Sequence, residues 1–222
     1  MDVSKSRRVL GAATALALVF AAAPSHAVEK GDWIVRAGIA HVAPDDSSGA
    51  VTGIPGSGVE VDGATNLAVN FTYMLSDNWG VELLGALPFK HDIKGSGTIS
   101  ALGTIAETKQ LPPTLAVVYN FAPKASIRPY AGIGLNYTVF FDEKVTGGLV
   151  GMADDVSLDG STGLAAEVGV DVDLNENVFF NASLWYVDID TTATLKGGTL
   201  DGARVDVDID PWVVFAGFGW RF

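Results

Sequence analysis

Five aspartates near the carboxyl end form the densest group of side chains with a capacity for chemistry. Asp188 and Asp190 stand two residues apart, and Asp206, Asp208 and Asp210 repeat that spacing further along the chain. Alternate residues of a β-strand share one face, so each set would present its carboxylates together. Carboxylate oxygens suit Ca²⁺ or Mg²⁺, and two such sets on neighbouring strands could share one divalent cation. A solvated acidic surface without a cation is the simpler interpretation.

Nothing else in the sequence indicates catalysis. Beyond the first 27 residues the histidines are His41 and His91, and no Gly-x-Ser-x-Gly motif accompanies them. The chain has no cysteine, which excludes disulfides and thiolate zinc sites. A net charge of −12 disfavours nucleic acid as a partner, because phosphates attract Lys and Arg. We therefore predict a protein that is not an enzyme and has no cofactor, no dedicated metal site and no nucleic-acid partner.

The elements that would position the aspartates are alternating β-strands. In the last eleven residues, 212–222, every second residue is apolar and the chain ends on an aromatic. Such a strand is typical of the closing strand of a transmembrane β-barrel, whose apolar face meets lipid. Eight segments share an uncharged apolar face and a mixed opposite face: 33–42, 65–75, 79–89, 110–121, 128–141, 161–174, 178–189 and about 206–222.

The connections between these segments alternate strictly in length. Three are short (76–78, 122–127 and 175–177) and four are long (43–64, 90–109, 142–160 and 190–205). Short turns of a bacterial barrel face the periplasm and long loops face outside. The prediction is an all-β, eight-stranded antiparallel transmembrane β-barrel with short periplasmic turns, four long extracellular loops and both termini in the periplasm. A soluble lipocalin-like barrel is the alternative, but its apolar face would point inward.

The two chain ends fit this location. Lys5, Arg7 and Arg8 precede an apolar run and the small-x-small sequence Ser25-His26-Ala27, which predicts a signal peptide at 1–27 and a barrel at 28–222. The terminal Phe222 is expected to be read by the barrel-assembly machinery. In the outer membrane of a Gram-negative bacterium the partners would be lipid and lipopolysaccharide. A cation at the five aspartates would then bridge them to lipopolysaccharide phosphates.

Short motifs along the whole mature chain resemble the OmpW family of small outer-membrane proteins. They are G-D-W-I-V-R-A-G at 31–38, F-T-Y-M at 71–74, G-V-E-L-L at 80–84, L-P-P-T-L at 111–115, R-P-Y-A-G-I-G-L-N-Y-T at 128–138, W-Y-V-D-I-D-T-T-A at 185–193 and D-P-W-V at 210–213. The resemblance implies an eight-stranded barrel with a narrow interior. It also implies uptake of small hydrophobic molecules, as in the related alkane-import protein AlkL.

Strand direction divides the inward residues by depth. Those near the periplasmic end are polar and are expected to pair with one another as a plug: Arg36, Glu82, Arg128, Glu167, Asp171, Asn181 and Arg221. Those near the outer end are apolar and are expected to line a site for a small hydrophobic ligand: Leu84, Pro88, Phe140, Trp185, Val187, Ile189, Val213 and Phe215. The same side chains could instead simply fill the narrow interior.

Three prolines predict where a ligand would leave a barrel whose floor is closed. Pro88 ends the third segment, and Pro112 and Pro113 begin its hairpin partner. Proline donates no ladder hydrogen bond, so we expect a lateral exit here into the membrane, unless the prolines only mark a loop base. Continuous strand pairing well above Pro112 would exclude the exit. The alternative function is a structural or surface-recognition barrel whose loops bind a phage, toxin or host without transport.

Overall fold

Antiparallel β-structure dominates residues 27–222, the part of the chain that the computed structural model describes. These residues form β1 (Trp33–Ala43), β2 (Ser47–Ser48), β3 (Ser57–Val61), β4 (Ala64–Met74), β5 (Trp79–Ala86), β6 (Phe89–Gly97), β7 (Thr104–Leu111), β8 (Thr114–Asn120), β9 (Ile127–Val145), β10 (Asp155–Leu158), β11 (Ser161–Asp173), β12 (Val178–Val187), β13 (Asp190–Lys196), β14 (Arg204–Asp208) and β15 (Trp212–Arg221). Single 3₁₀ turns lie at Ser100–Leu102, Gly147–Leu149 and Gly198–Leu200. Apart from Ala27, the predicted signal peptide lies outside the described residues. Within residues 27–222, no helix is long and apolar enough to cross a membrane.

Eight strands close a barrel in the order β1, β4, β5, β8, β9, β11, β12 and β15. β15 returns to β1, where the pairing runs from Ile34 opposite Arg221 to Ala43 opposite Trp212. Closure leaves the barrel without an edge strand, which a sheet in hydrocarbon requires because no water is available there to pair with a free edge. The predicted eight-stranded antiparallel barrel is confirmed, and each predicted segment overlaps one of these wall strands.

The outward face of the wall is a belt of exposed apolar side chains. Ile133 at 74% exposure is an example from the middle of β9. Aromatic pairs mark both borders of the belt: Trp33 with Tyr73 and Trp79 with Tyr119 near the termini, and Tyr186 with Trp212 at the opposite end. Aromatic side chains favour the two water interfaces of a bilayer, so the belt between them matches the hydrocarbon layer.

The long connections are largely β-structure that extends the wall beyond the belt. β6 pairs with β7, β3 with β6, β13 with β14, and β10 with β13. In β6 the alternation is inverted: Ile93 is buried, whereas Lys90 is exposed. Apolar side chains turn inward as soon as the outer surface meets water. The third predicted segment, 79–89, is thus two strands, β5 and β6, divided at Pro88. The fourth, 110–121, is likewise two strands, β7 and β8, divided at Pro112 and Pro113, and β6 and β7 extend into the predicted loop 90–109.

Candidate functional site

A charged network fills the barrel interior at the end that carries both termini. Arg36 donates from Nε and Nη2 to the two carboxylate oxygens of Asp171, at 3.0 and 2.9 Å. Its Nη1 atom donates to Glu82 Oε2 at 2.8 Å and to Thr72 Oγ1 at 2.9 Å. All four side chains are buried. One guanidinium thus ties together β1, β4, β5 and β11 across the lumen.

Asn181 and an aromatic ring complete this network. Asn181 Nδ2 donates to Asp171 Oδ1 at 2.7 Å and to the Tyr130 hydroxyl at 2.9 Å. The Arg36 guanidinium lies 4.7 Å from the centroid of the Tyr130 ring, within the range of a cation–π contact. Tyr130 was not among the predicted plug residues. Strand alternation could have found it, because it lies two residues after Arg128 on the same inward face.

A second layer lies beside the first. Arg128 pairs with Asp173 through Nη1 and Nη2, both at 2.7 Å, and Arg221 Nη2 lies 3.3 Å from Asp173 Oδ1. The Phe179 ring lies between the layers, 5.4 Å from the Arg128 guanidinium and 5.7 Å from that of Arg36. Asp173 and Phe179 were also missed, although alternation places both inward. We call the ten residues of the two layers the polar plug: Arg36, Thr72, Glu82, Arg128, Tyr130, Asp171, Asp173, Phe179, Asn181 and Arg221.

Two glycines give the aromatic rings of the polar plug their space. A Cβ atom added to Gly169 would overlap the Tyr130 ring, and one added to Gly219 would overlap the Phe179 ring. Both glycines face the lumen from the neighbouring wall, so their missing side chains are part of the packing. Inside the polar plug, the Tyr130 and Phe179 rings fit only because positions 169 and 219 carry no side chain.

Glu167 is the predicted plug residue that lies apart from the ion pairs. It is 3% exposed, and neither carboxylate oxygen has a hydrogen-bond partner among the described residues. Glu82 Oε1 and both amide atoms of Asn70 are likewise buried without a partner there. Glu167 thus forms no ion pair with Arg36, although its carboxylate lies beside that of Glu82 at the edge of the same network.

Further from the termini the interior becomes apolar and contains a small lower cavity. The volume of this cavity that the centre of a water molecule can occupy is about 30 Å³. Five predicted ligand-lining residues border it, together with Ala86, Phe89, Pro112 and Thr114. The predicted ones are Leu84, Trp185, Val187, Val213 and Phe215.

A larger outer chamber lies inside the extended wall, with about 90 Å³ open to the centre of a water molecule. Its lining is mostly apolar and includes Val59, Ile93, Ile105, Val156, Val205 and the predicted residue Phe140. Phe89 borders the lower cavity, and its ring lies 6.5 Å from that of His91, which lines the outer chamber. Ile189 is buried in the same apolar cluster but borders neither cavity, and Pro88 borders neither.

Hydrogen-bonded pairing between the third and fourth strands of the barrel wall is interrupted at the prolines. β5 pairs with β8 as far as Leu84 opposite Thr114, and β6 pairs with β7 from Phe89 opposite Gln110. Between these pairs lie residues 85–88 and 111–113, which we call the seam gap. Five residue steps separate Leu84 from Phe89, about 16 Å of strand.

Asparagine side chains satisfy the proline carbonyls that border the seam gap. Asn66 Nδ2 donates to Pro88 O at 2.9 Å. Asn136 Nδ2 donates to Pro112 O at 3.2 Å and to Pro113 O at 3.3 Å. The Pro113 carbonyl also accepts from the backbone N–H of Tyr137 on β9 at 3.0 Å, so the side-chain bonds matter most for the carbonyls of Pro88 and Pro112. The seam gap is therefore an interruption of the strand pairing whose free carbonyls are stabilised by side chains. The inward position of Asn66 is explained by its hydrogen bond to the Pro88 carbonyl.

Three of the five aspartates named from the sequence converge. The side chains of Asp188, Asp190 and Asp210 place one carboxylate oxygen each within 4.8 Å of one another. Burial first, and then the neighbouring carboxylates, raise the pKa of Asp190 above its ordinary value. Asp206 instead accepts a hydrogen bond from Thr192 Oγ1 at 2.8 Å, and Asp208 accepts one from Ser47 Oγ at 3.3 Å.

Comparisons with known proteins agree with this architecture. Residues 29–222 match the OmpW family. Outer membrane protein W of Vibrio cholerae is 47% identical over 211 residues, covering 94% of this chain and 96% of that protein. The crystal structure of the outer membrane protein OprG from Pseudomonas aeruginosa is similar at a TM-score of 0.84 and 42% identity, covering 90% of this chain and 99% of that one. Outer membrane protein AlkL of Ectopseudomonas oleovorans is 27% identical over 228 residues, covering 100% of this chain and 96% of that protein. The chain belongs to the OmpW family, the non-enzymatic β-barrels of the Gram-negative outer membrane.

Proposed function

We propose that this barrel carries small hydrophobic molecules from outside the cell into the outer membrane. A molecule would enter the outer chamber, pass Phe89 into the lower cavity, and leave sideways through the seam gap. The observation that carries the proposal is the position of the lower cavity. Leu84 and Ala86 border it on one side of the seam gap, and Pro112 and Thr114 border it on the other.

The polar plug supports a sideways route rather than a path to the periplasm. The ion pairs of Arg36 with Glu82 and Asp171 bridge the lumen at 2.8 and 2.9 Å, and an apolar molecule would have to break them to pass. Breaking a buried ion pair costs several kcal/mol, and an apolar molecule offers the charges nothing in return. The energetically open direction for an apolar molecule is therefore outward into hydrocarbon.

The seam gap has the surroundings that such an exit needs. The β6–β7 ladder runs above the seam gap from Phe89 opposite Gln110 to Lys94 opposite Thr104, and this pairing above Pro112 excludes an exit that is open up to the rim of the barrel. The exit that we infer is therefore narrower than the sequence suggested: a window within the wall, bounded by the β6–β7 ladder above and the β5–β8 ladder below. Leu87, within the gap, is 54% exposed on the outward face, and Leu135 on β9 is 61% exposed. Both belong to the apolar belt. The implied relation to alkane import through AlkL is consistent with this route.

Uptake measurements test the proposal. Cells that lack the protein should take up a radiolabelled alkane more slowly than cells that produce it. Leu84→Glu and Trp185→Ala should each reduce uptake, because the first puts a charge beside the lower cavity and the second removes one of its walls. Uptake unchanged by deletion and by both variants would favour the surface-recognition alternative.

Cross-linking tests the exit separately. The chain has no cysteine, so Ala86→Cys with Pro112→Cys introduces one unique pair across the seam gap. A reducible thiol cross-linker at this pair should stop uptake, and reduction should restore it. Val81→Cys with Val117→Cys is the matched control, since these residues are opposed in the intact β5–β8 ladder. Equal effects at both pairs would argue against the window.

A further inference from the structure

The outer chamber contains two buried polar side chains whose nitrogen atoms lack partners. His91 on β6 and Gln110 on β7 are each 1% exposed and line the chamber. The Nε2 atoms of both residues form no hydrogen bond with any described residue. Burying a polar atom is unfavourable unless something pairs with it. The lining of the outer chamber is otherwise largely apolar, so these two unpaired nitrogen atoms indicate that the ligand carries a polar group.

The other polar side chains of the chamber are accounted for. Thr191 Oγ1 donates to the Asp159 carbonyl at 2.7 Å, and Thr108 Oγ1 donates to the Lys109 carbonyl at 3.4 Å. Arg204 is exposed and keeps contact with solvent. Among the residues that line this chamber, His91 and Gln110 are therefore the two whose buried polar atoms lack a partner in the described part of the chain.

The hydrogen-bonding roles of the two atoms are complementary. His91 Nδ1 lies 2.7 Å from the Asp62 carbonyl oxygen, which only accepts, so Nδ1 carries a proton. Burial lowers the pKa of His91, while Asp62 and Asp92 act in the opposite direction. The ring is neutral at pH 7, and its Nε2 atom is an acceptor. The Gln110 amide nitrogen is a donor.

The strand register places the two side chains near each other. His91 is opposite Thr108, and Gln110 follows two residues later on the same inward face. Diagonal neighbours of this kind are about 7–8 Å apart in an antiparallel pair. One small group between them could reach both. To satisfy both atoms, that group must donate to His91 and accept from Gln110.

We propose that the outer chamber binds small aliphatic alcohols, with the hydroxyl donating to His91 Nε2 and accepting from Gln110 Nε2. This inference rests on the proposed function and specifies its class of cargo. A water-sized group needs roughly 10–15 Å³ of such space, so the chamber holds about six to nine non-hydrogen atoms. A carboxylate fits less well, because it cannot donate to the His91 acceptor.

Three compounds of equal size separate the possible outcomes: heptane, methyl pentyl ether and 1-hexanol. The alkane has no polar atom, the ether only accepts, and the alcohol does both. The protein, in lipid nanodiscs, is labelled in the Ile93 and Ile105 methyl groups, which report binding in the chamber. A second label, ¹⁵N in the imidazole rings, reports hydrogen bonding. We expect 1-hexanol alone to shift the His91 Nε2 signal.

Built-in controls accompany this measurement. His41 is exposed and contacts Thr65 Oγ1, outside the chamber, so its signal should stay constant. His91→Phe and Gln110→Leu should each lower the ratio of hexanol to heptane affinity about tenfold, the equivalent of one buried hydrogen bond. Taking the ratio cancels the difference in transfer from water. Thr191→Val, which removes a hydroxyl already bonded to the backbone, should leave the ratio unchanged.

The outcomes distinguish this inference from the proposed function. If heptane enters the chamber but the ratio is the same in all variants, or if the ether shifts His91 as the alcohol does, the alcohol site is wrong and the hydrophobic conduit stands. Tighter binding of hexanoate than of hexanol would also overturn it. If none of the three compounds moves the isoleucine methyl signals, both proposals fail. Should a variant not fold, the comparison of ether with alcohol in the unaltered protein still decides.

Discussion

Replacing Arg36 by methionine tests whether one guanidinium holds the polar plug together. Methionine fills similar space but removes the charge and every N–H donor. The variant loses the bonds to Asp171 at 2.9 and 3.0 Å, to Glu82 at 2.8 Å and to Thr72 at 2.9 Å. Two carboxylates are then left inside the barrel without their cation.

The cost follows from burial. The Arg36, Asp171 and Glu82 side chains are each at most 1% exposed, so water cannot replace the lost partner. Removing one member of a buried ion pair typically costs about 3–5 kcal/mol. Folded domains are stable by roughly 5–15 kcal/mol, so the change is a large share of the total. We expect the free energy of unfolding of Arg36→Met to fall by about 3–5 kcal/mol.

Urea titration in lipid vesicles, followed by tryptophan fluorescence, measures this change at pH 7. Lys109→Met is the matched control: its ammonium lies 2.9 Å from Asp142, but the two side chains are 44% and 56% exposed. An exposed pair of this kind contributes about 0–1 kcal/mol. A loss in Arg36→Met no greater than that in Lys109→Met would refute the reasoning. Adding Asp171→Asn and Glu82→Gln to Arg36→Met should recover part of the stability, because neutral amides need no cation.

Three further predictions concern other parts of the barrel. Gly219→Ala should lower the free energy of unfolding by about 1–3 kcal/mol in the same titration, because its methyl group overlaps the Phe179 ring; an unchanged value would contradict that packing. Ile133→Arg should cost about 2–4 kcal/mol on the lipid face and Ile127→Arg, at a strand end, about 0–1, so equal losses would contradict the membrane depth. Burial lowers the pKa of His91, so the outer chamber should lose stability as the pH falls below the unfolded value of about 6.5. Hydrogen exchange in β6 and β7, corrected for the intrinsic rate, should speed up between pH 7 and 5, and not in His91→Gln.

The wall of the barrel could be predicted because one physical pattern runs through it. A strand with lipid on one side and a polar interior on the other must alternate apolar and polar side chains. The sequence shows that alternation in each wall strand, and connection lengths then orient the barrel. The same alternation placed Arg36, Glu82 and Asp171 inward. It also placed Tyr130 and Phe179 inward, and these were missed because only polar residues were considered for the plug.

The extended wall could not be predicted with the same rule. In β6 and β14 the apolar residues Ile93 and Val205 face inward, the reverse of the arrangement in the membrane. The expectation that apolar side chains point outward holds only where lipid surrounds the strand, so residues 90–97 of β6 and residues 204–205 of β14 were interpreted as parts of loops. Their apolar residues form the outer chamber, whose polar positions His91 and Gln110 had no significance in the sequence alone.

The sequence by itself determined the number of strands in the membrane wall, the direction of their side chains there, and the polar and apolar ends of the lumen, because these depend on local alternation and on solvent. Only the tertiary structure decided which groups meet. The bidentate pairing of Arg36 with Asp171 joins residues 135 positions apart. The seam gap likewise depends on Asn66 and Asn136 reaching proline carbonyls from adjacent strands. Such contacts are set by barrel closure and strand register, which no local pattern contains.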